Sequence, residues 1–310
     1  MPQYMTKSPR PGKQSKDISP TCHILSISWT TVYKPAMTII SRFAPSPTGY
    51  LHLGHAYSAW LGRTLSDIWV LRFEDIDTTR CQPEFMTAAI EDLTWLGLLW
   101  DGEIRRQSAH FSEYAGALAR LQEQGLVYPC FCTRSEIMQA QSAPHALPSI
   151  YPGTCRHLDE SEQAERIATG KPYALRLDNA AACARVGALK FFDDSSSWVD
   201  AVPSRAGDIV LARKDTPTSY HLCVVHDDAL QGITHVIRGE DLREATHIQI
   251  LLQKLLDYET PAYRHHKLLN GPDGKRLAKR DKAKTLRSLR ENGMSATAVL
   301  RQFGSGRGFE

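Results

Sequence analysis

The stretch Arg-Phe-Ala-Pro-Ser-Pro-Thr-Gly-Tyr-Leu-His-Leu-Gly-His, residues 42 to 55, decides how the chain folds. An apolar run, residues 38–43, leads into it and predicts a short buried strand. Two prolines and two glycines then interrupt regular structure, and from Ala56 onward apolar residues recur at helical spacing. A strand, an irregular loop and a helix in this order put backbone N–H groups and a helix N-terminus beside a sheet, where phosphates bind. His52 and His55 stand where the loop becomes the helix, so both can donate to phosphate oxygens.

A second apolar run, residues 68–73, is followed by the acidic stretch from Glu74 to Asp77. Strand, helix and strand at this spacing form the unit of a parallel sheet. Because ligands of such sheets gather at the carboxyl ends of the strands, Arg42 and Glu74 are expected to face one pocket. Taken alone, the acidic stretch also fits a solvent-exposed turn. Two packing helices are predicted next, over residues 83–96 and 110–124.

Three of the seven cysteines lie close together in a different region. Cys130 and Cys132 share a turn, and Cys155 can supply a third thiolate. Tetrahedral zinc needs four N, S or O donors, and the fourth is either Tyr151 or His157. Such a zinc is expected to be structural, holding a small insertion that is poor in apolar residues. The spacing is equally compatible with three free buried thiols.

The sheet is predicted to resume in the second half of the chain. Short strands are expected at residues 173–177 and 189–192, and further apolar runs cover residues 209–211, 220–225 and 233–237. The last two runs are followed directly by charged residues, at 226–228 and 238–241, which are interpreted as groups at strand ends. A long helix with Ile248 and Leu255 on its apolar side follows.

The termini and one loop differ from the rest. Residues 1–36 are rich in Lys, Ser, Thr and Pro and predict a disordered tail, with a transit peptide or an upstream start before Met37 as the alternatives. Residues 270–284 form a Gly/Pro-rich loop with six basic residues between 275 and 284, which is suited to closing on a polyphosphate. A solvated charge run or a nonspecific RNA contact explains the same loop. Short helices are expected near the C-terminus.

Composition limits the function classes. The chain has 310 residues and a net charge of +3, which permits an RNA partner without requiring one. No apolar run approaches the roughly 18 residues that a membrane helix needs. No secretory signal is visible, and an odd number of cysteines favours a metal site in a reducing compartment over disulfides. The expectation is a cytoplasmic protein without a membrane contact.

Three motifs resemble the class I aminoacyl-tRNA synthetases of the glutamyl and glutaminyl type. Residues 42–49 with His52-Leu-Gly-His55 resemble the first signature of that family. Arg238-Gly-Glu-Asp241 resembles another of its stretches, and Gly274-Lys-Arg-Leu-Ala-Lys-Arg280 is similar to the second signature, the mobile Lys-Met-Ser-Lys-Ser loop. The motifs occur in the family's order across most of residues 38–285, which makes the resemblance specific.

The resemblance implies an enzyme that activates L-glutamate with ATP and Mg²⁺ to glutamyl-adenylate, with roles for individual residues. The implied catalytic residues are His52, His55 and Lys279, and the implied ATP-binding residues are these three and Gly54. The implied glutamate-binding residues are Arg42, Phe43, Ala44, Pro45, Ser46, Glu74, Tyr220 and Arg238. The implied ligands of a structural Zn²⁺ are Cys130, Cys132, Tyr151 and Cys155, which favours Tyr151 over His157.

The chain ends soon after the second signature, whereas full glutamyl-tRNA synthetases continue into a helical anticodon-binding domain. With the stretches 128–134 and 151–155, this resembles a group of the family that transfers glutamate to the queuosine base in the anticodon of tRNA(Asp). The expected partners are therefore L-glutamate, ATP and queuosine-bearing tRNA(Asp), and the expected state is a monomer. Two alternatives stay open: a truncated glutamyl-tRNA synthetase that charges tRNA(Glu), and an inactive synthetase-like module that binds RNA.

The sequence departs from the family pattern in the second signature and after the first helix. Arg276 replaces the usual first lysine, and Ala278 replaces a serine, which removes one hydrogen bond of about 1 kcal/mol. The segment 61–68 is shorter than the family's helix and turn. Intact His52, Glu74 and Arg238 favour an active enzyme.

The predicted architecture is α/β: a Rossmann-like class I synthetase catalytic domain with a parallel sheet, a small zinc-containing insertion and a short helical C-terminal segment. The catalytic domain is expected in two halves, residues 37–127 and 201–270. The insertion with the zinc-binding loop is expected at 128–200, and the second-signature loop with short helices at 271–310. Residues 1–36 form the disordered extension.

Overall fold

A computed structural model of the chain describes residues 38–141, 150–194, 197–269 and 285–304. The predictions for the N-terminal extension, for the loop 270–284 with Lys279, Arg276 and Ala278, and for the last six residues lie outside the described residues.

Strands and helices alternate through most of the described chain. The strands are β1 (Ile40–Phe43), β2 (Ile68–Phe73), β3 (Arg105–Arg106), β4 (Val127–Cys130), β5 (Ala174–Leu177), β6 (Leu189–Asp193), β7 (Ser197–Ala201), β8 (Val210–Ala212), β9 (His235–Gly239) and β10 (Ala262–His266). The helices are α1 (Leu53–Leu65), α2 (Pro83–Trp95), α3 (Phe111–Glu123), α4 (Arg134–Gln141), α5 (Glu160–Ala168), α6 (Asn179–Val186), α7 (Tyr220–Leu230), α8 (Arg243–Leu255), α9 (Leu286–Glu291) and α10 (Ala296–Gly304).

The parallel pairing predicted for the strand–helix–strand unit of residues 38–73 is present, and further parallel pairs extend it. β1 pairs in parallel with β2 from Ile40 to Phe43, and β2 pairs in parallel with β3. β9 pairs in parallel with β10 over five positions, and β10 with β6. The two groups of strands meet where the backbone N–H of Thr234 donates to the carbonyl of Ile40 at 3.0 Å. The carboxyl ends of β1, β2, β9 and β10 therefore gather on either side of a switch in strand order, where open α/β sheets bind ligands.

A second, antiparallel sheet carries the cysteine-rich region. β5 pairs with β4 on one side and with β8 on the other. β6 lies inside the predicted insertion and β7 covers its last residues, but the two form an antiparallel pair at the edge of the parallel sheet. Strand pairing thus crosses the predicted division at residue 200, and the domain bounds stay a prediction.

The C-terminal helices belong to the main core. Leu286, Leu289, Val299 and Phe303 are buried together with Phe43 and the residues of the first strand–helix unit. Thr285, the first described residue after the basic loop, pairs with His52, and the N–H of Leu286 donates to the carbonyl of Leu51 at 2.8 Å. These contacts anchor the chain that follows the basic loop beside the first signature.

One predicted strand is wrong. Residues 220–225 form the first half of helix α7, so the charged residues 226–228 lie within a helix and not at a strand end. The helix is buried on most of its surface, and even Asp227 and Asp228 are buried in it. A short apolar run of this kind has the same sequence pattern as a buried strand.

We find no helix in the described part of the chain that has both the length and the apolar character to cross a membrane.

Candidate active site

A cleft of about 460 Å³ opens at the carboxyl ends of β1, β2 and β9. The structure brings together in its wall all eight predicted glutamate-binding residues and three of the four predicted ATP-binding residues. These are Arg42, Phe43, Ala44, Pro45, Ser46, Glu74, Tyr220, Arg238, His52, Gly54 and His55. Lys279, the fourth, lies outside the described residues, but Leu269 on one side of its segment also lines the cleft.

The two histidines form a reciprocal cap at the N-terminus of α1. The Nδ1 atom of His52 accepts the N–H of Gly54 at 3.1 Å, and Nδ1 of His55 accepts the N–H of His52 at 3.2 Å. In a neutral imidazole, a nitrogen that accepts leaves the proton on the other nitrogen. Both rings therefore carry the proton on Nε2, in the form that donates to an anion at a helix N-terminus.

Gly54 allows this cap to form. A Cβ atom at this position would lie 3.0 Å from Cε1 and 3.1 Å from Nδ1 of His52. Such a contact would push the His52 ring away from the backbone that it caps. The glycine between the two histidines is thus explained by ring placement.

Arg238 presents a buried donor to the cleft. Its Nη2 donates to Thr246 Oγ1 at 2.7 Å and its Nε to His265 Nε2 at 3.4 Å. Its Nη1 is buried and has no hydrogen-bond partner among the described residues. Burying a donor of a charged group without a partner is costly, so this atom points to a ligand. His265 is itself held by Asp193, at 2.8 Å from Nδ1.

Arg42 is fixed from below by a buried carboxylate. Its Nε donates to Asp228 Oδ1 at 2.9 Å, and the same oxygen accepts from Nη2 of Arg72 at 2.5 Å. The side chains of Arg42 and Asp228 are almost fully buried, and that of Arg72 is completely so. Burial acts to raise the pKa of Asp228, but the two guanidinium groups outweigh it and lower that pKa. Asp228 is therefore an ionised carboxylate that lies behind Arg42 in the cleft wall and holds its guanidinium group in place.

Glu74 lies beside these arginines directly after β2. Burial raises its pKa to about 7, although Arg72 and Arg42 act in the opposite direction. The cleft wall thus carries two guanidinium groups and one carboxyl group that titrates near neutrality. This arrangement complements a zwitterionic amino acid with an additional carboxylate.

The four predicted zinc ligands lie together at the end of β4. The Sγ atoms of Cys130, Cys132 and Cys155 are all within 4.8 Å of one another. The Tyr151 hydroxyl lies 3.4 Å from the first of these sulfurs and 3.5 Å from the second. His157 is exposed, so the geometry favours Tyr151 as the fourth member.

Chemically, this donor set fits zinc. Three thiols and a phenol supply four donors from two loops, and soft sulfur ligands suit Zn²⁺. Burial raises the pKa of Cys132 to about 11, so in the metal-free protein this thiol keeps its proton at neutral pH. A dication bound here would favour the thiolate form.

Several residues that shape the site were not predicted. The sequence pattern places Asp228 at a strand end, and it gives no indication that Thr246 and His265 support Arg238.

The comparisons with known proteins agree with the site. The profile described as tRNA synthetases class I (E and Q), catalytic domain, matches residues 38–309. A glutamyl-Q tRNA(Asp) synthetase of Rhodobacter capsulatus is 44% identical over 280 residues, which cover 86% of this chain and 100% of that protein. A glutamate–tRNA ligase of Aquifex aeolicus is 39% identical and is covered over 55% of its length.

Solved structures give the same fold. The crystal structure of a glutamate tRNA ligase from Elizabethkingia meningosepticum, in complex with its amino acid, matches with a TM-score of 0.72 at 26% identity. The match covers 86% of this chain and 60% of that one. The prediction of family from the three motifs is confirmed. The chain belongs to the class I tRNA synthetases of the glutamate and glutamine type, a family of ligases.

Proposed function

We propose that this enzyme activates L-glutamate with ATP and transfers it to the queuosine base in the anticodon of tRNA(Asp). The observation that carries the first step is the buried Nη1 of Arg238, which has no partner in the part of the chain that the structure describes and lies in a cleft with Arg42 and Glu74. The names of the relatives that match over most of their length support the second step. The monomeric state and the cytoplasmic location stay predictions.

In the first reaction the α-carboxylate of glutamate attacks the α-phosphorus of ATP, and pyrophosphate leaves. The nucleophile is already ionised, so the protein has to orient the reactants and stabilise charge on the phosphates. Arg238 and Arg42 bind carboxylate oxygens, and Glu74 binds the α-ammonium group. The Nε2–H groups of His52 and His55 donate to phosphate oxygens at the start of α1.

Lys279 is proposed to contact the polyphosphate. It belongs to a segment whose flanking residues, Leu269 and Thr285, lie at the cleft wall and beside His52, respectively.

Within the described residues, one group of three or more His, Cys, Asp or Glu side chains is arranged to hold a metal. It consists of Cys130, Cys132 and Cys155 and is called the thiol cluster below. We propose that Mg²⁺ would be held by the phosphates of ATP and would offset part of their charge when bound.

In the second reaction a hydroxyl oxygen of the acceptor attacks the carbonyl carbon of the glutamyl-adenylate. The bond between that carbon and the phosphate oxygen breaks, AMP leaves with the electron pair, and the hydroxyl proton passes to solvent. The product is a glutamyl ester.

The test compares three acceptors with purified enzyme, ATP and labelled glutamate. The acceptors are tRNA(Asp) bearing queuosine, tRNA(Asp) bearing guanosine at that position, and tRNA(Glu). Label on the first alone, with mass analysis locating it on the modified base, is the expected result. Label on tRNA(Glu) alone would favour the second candidate, charging of tRNA(Glu), which the similarity to the Aquifex ligase supports. An absence of glutamate-dependent ATP–pyrophosphate exchange would favour the inactive RNA-binding module.

Glutamate use is expected to depend on pH through Glu74. Its raised pKa means that it is protonated below about pH 7 and cannot then pair with the α-ammonium group. The charged groups that face it are Arg42, Arg72, Asp227 and Asp228. In pyrophosphate exchange, kcat/KM for glutamate should rise about tenfold per pH unit below the pKa and level off above it.

The control for this profile separates Glu74 from general pH effects. Glu74→Gln should remove the rise as well as most of the activity, whereas Glu103→Gln, at an exposed site, should keep the wild-type profile. A wild-type profile that is flat between pH 5.5 and 8 would contradict the role of Glu74.

We also propose that Cys130, Cys132, Tyr151 and Cys155 hold a structural zinc that ties the two loops together. Purified protein is expected to contain about one zinc ion per chain, because four donors complete a tetrahedral site. Cys155→Ser should lose most of the metal, as measured by elemental analysis. Cys183→Ser, in α6 and outside the cluster, should keep it. Equal zinc content in the two variants would reject the site.

A further inference from the structure

A second cleft, of about 500 Å³, lies on the other side of the glutamate site. It shares Ser46, Glu74 and Tyr220 with the first cleft, so the two spaces meet at these side chains. Its outer wall comes from the segment after β2, from β5 and β8, and from Tyr151 beside the thiol cluster. Its volume is within the range of clefts that bind nucleoside-sized ligands. The reactions of the first cleft leave this space unused.

Three polar atoms in the wall of this second cleft are buried without a hydrogen-bond partner among the described residues. They are Oγ of Ser219, Nδ1 of His221 and Nε of Arg176. Ser219 is 7% exposed and Arg176 9%. Native proteins pair most buried polar groups, because each unpaired one costs about 1–3 kcal/mol. Three such atoms around one cleft point to a ligand that supplies hydrogen bonds.

Local structure does not use the Ser219 hydroxyl. Ser219 is the residue before the first turn of α7, where a serine side chain usually caps the helix, but here it makes no capping hydrogen bond. His221 is in the first turn of the same helix, so the two side chains lie at one end of one element. A rigid helix end that presents two unpaired polar groups is a well-positioned binding element.

His221 is neutral, and Asp77, Asp208 and Arg176 already have partners within the protein; Arg176 donates from Nη1 to the backbone carbonyl of Asp208 at 2.7 Å. Burial lowers the pKa of His221 to about 4, with Arg238 acting in the same direction, so the imidazole is uncharged at neutral pH. Asp208 accepts from Tyr128 at 2.6 Å and from Arg156 at 3.0 Å. Asp77 accepts from Thr79 at 2.7 Å and from Arg80 at 2.8 Å. An uncharged ligand rich in hydroxyl groups suits these surroundings better than an anion or a cation does.

We propose that the second cleft receives the hydroxyl-bearing ring of the acceptor base, held by hydrogen bonds to Ser219 and His221. This inference rests on the proposed function and assigns its acceptor subsite. The ring's hydroxyl then reaches the activated glutamate across the shared side chains of Glu74 and Tyr220. The cyclopentenediol of queuosine, with two neighbouring hydroxyl groups, has the required chemistry.

The experiment measures the two reactions separately in Ser219→Ala and His221→Phe. In Ser219→Ala, only a hydroxyl group without a partner among the described residues is removed. In His221→Phe, an aromatic ring stays at the position where the imidazole centroid lies 5.2 Å from the ring centroid of Tyr220. Pyrophosphate exchange reports glutamate activation, and label on queuosine-bearing tRNA(Asp) reports transfer. The ratio of transfer to exchange should fall about 3- to 10-fold in each variant, since one net hydrogen bond is lost. The double variant should show a larger fall in the same ratio.

Matched controls are Ser204→Ala and His157→Phe, which change the same residue types at exposed sites outside the cleft. They should keep the wild-type ratio, and all variants should keep the wild-type melting temperature. A variant ratio equal to that of the wild type, or a parallel loss of exchange and transfer, would overturn the subsite. A wild-type enzyme that labels only tRNA(Glu) would instead overturn the proposed function and, with it, this occupant of the cleft. The two failures are distinct because one is seen in the wild type and the other in the variants.

Discussion

Arg238→Ala is expected to lower kcat/KM for glutamate in pyrophosphate exchange by about two to four orders of magnitude. The guanidinium group is a buried cation whose Nη1 has no partner within residues 38–141, 150–194, 197–269 and 285–304. Two charge-assisted hydrogen bonds to a carboxylate contribute about 1.5–3 kcal/mol each. The loss should appear mainly in glutamate binding, since Arg238 belongs to the amino-acid end of the site. Exchange kinetics with varied glutamate, and then with varied ATP, measure this.

Arg238→Lys should recover little of that activity. A lysine keeps the charge but lacks the planar fork, and it cannot donate to Thr246 and His265 while also binding a carboxylate in a bidentate manner. Arg264→Ala is the matched control, because Arg264 lies in the neighbouring strand β10 and its side chain is 40% exposed. If Arg238→Ala weakened ATP and glutamate equally, or if the control lost as much activity, the assignment would be wrong.

Arg238 is predictable from the sequence, whereas the residues that hold its side chain in place are not. Arg238 itself is predictable because it belongs to a short contiguous motif directly after an apolar run. Thr246 and His265 support it through hydrogen bonds that depend on how α8 and β10 pack against β9. Such contacts arise from tertiary packing, and a single sequence contains no pattern that specifies them.

The parallel sheet was predictable because its strands are short apolar runs with charged residues at their carboxyl ends. β2 has the bounds that were expected, and the residues that follow β1, β2 and β9 meet in one cleft. The same rule failed at α7. That helix is buried on most of its surface, so its sequence lacks the polar face that normally distinguishes a helix from a buried strand.

The thiol cluster and the second cleft are two further features that the sequence alone does not specify. Cys-x-Cys spacing and a distant third cysteine left zinc and free thiols equally possible, and only the fold brings the three sulfurs and the Tyr151 hydroxyl together. The second cleft is built from segments between residues 46 and 221. Its unpaired polar atoms are defined by burial, which depends on the complete fold.

Asp228→Asn is expected to destabilise the folded protein by about 3–5 kcal/mol, the usual cost of removing one partner from a buried ion pair. Arg42 and Arg72 both donate to Asp228 Oδ1, and their side chains are 5% and 0% exposed. Asp227 cannot take over, because Arg105, Gln107 and Tyr114 already donate to its carboxylate. Urea unfolding at pH 7 measures the loss. Exchange kinetics should also show a higher KM for glutamate, since Arg42 loses the group that orients it.

The matched control is Asp215→Asn, which removes the charge from an exposed pair with Arg213 and should cost less than about 1 kcal/mol.

The pH dependence of the free energy of unfolding gives a second test. The pKa of Asp228 is lowered in the folded state, so its stabilisation is complete above the unfolded-state pKa of about 4 and is lost as the pH falls through the lower folded-state value. The gap between wild type and Asp228→Asn should therefore be widest at neutral pH and narrow in acid. A gap that widens in acid, or a variant as stable as Asp215→Asn at pH 7, would mean that Asp228 does not support the two arginines electrostatically.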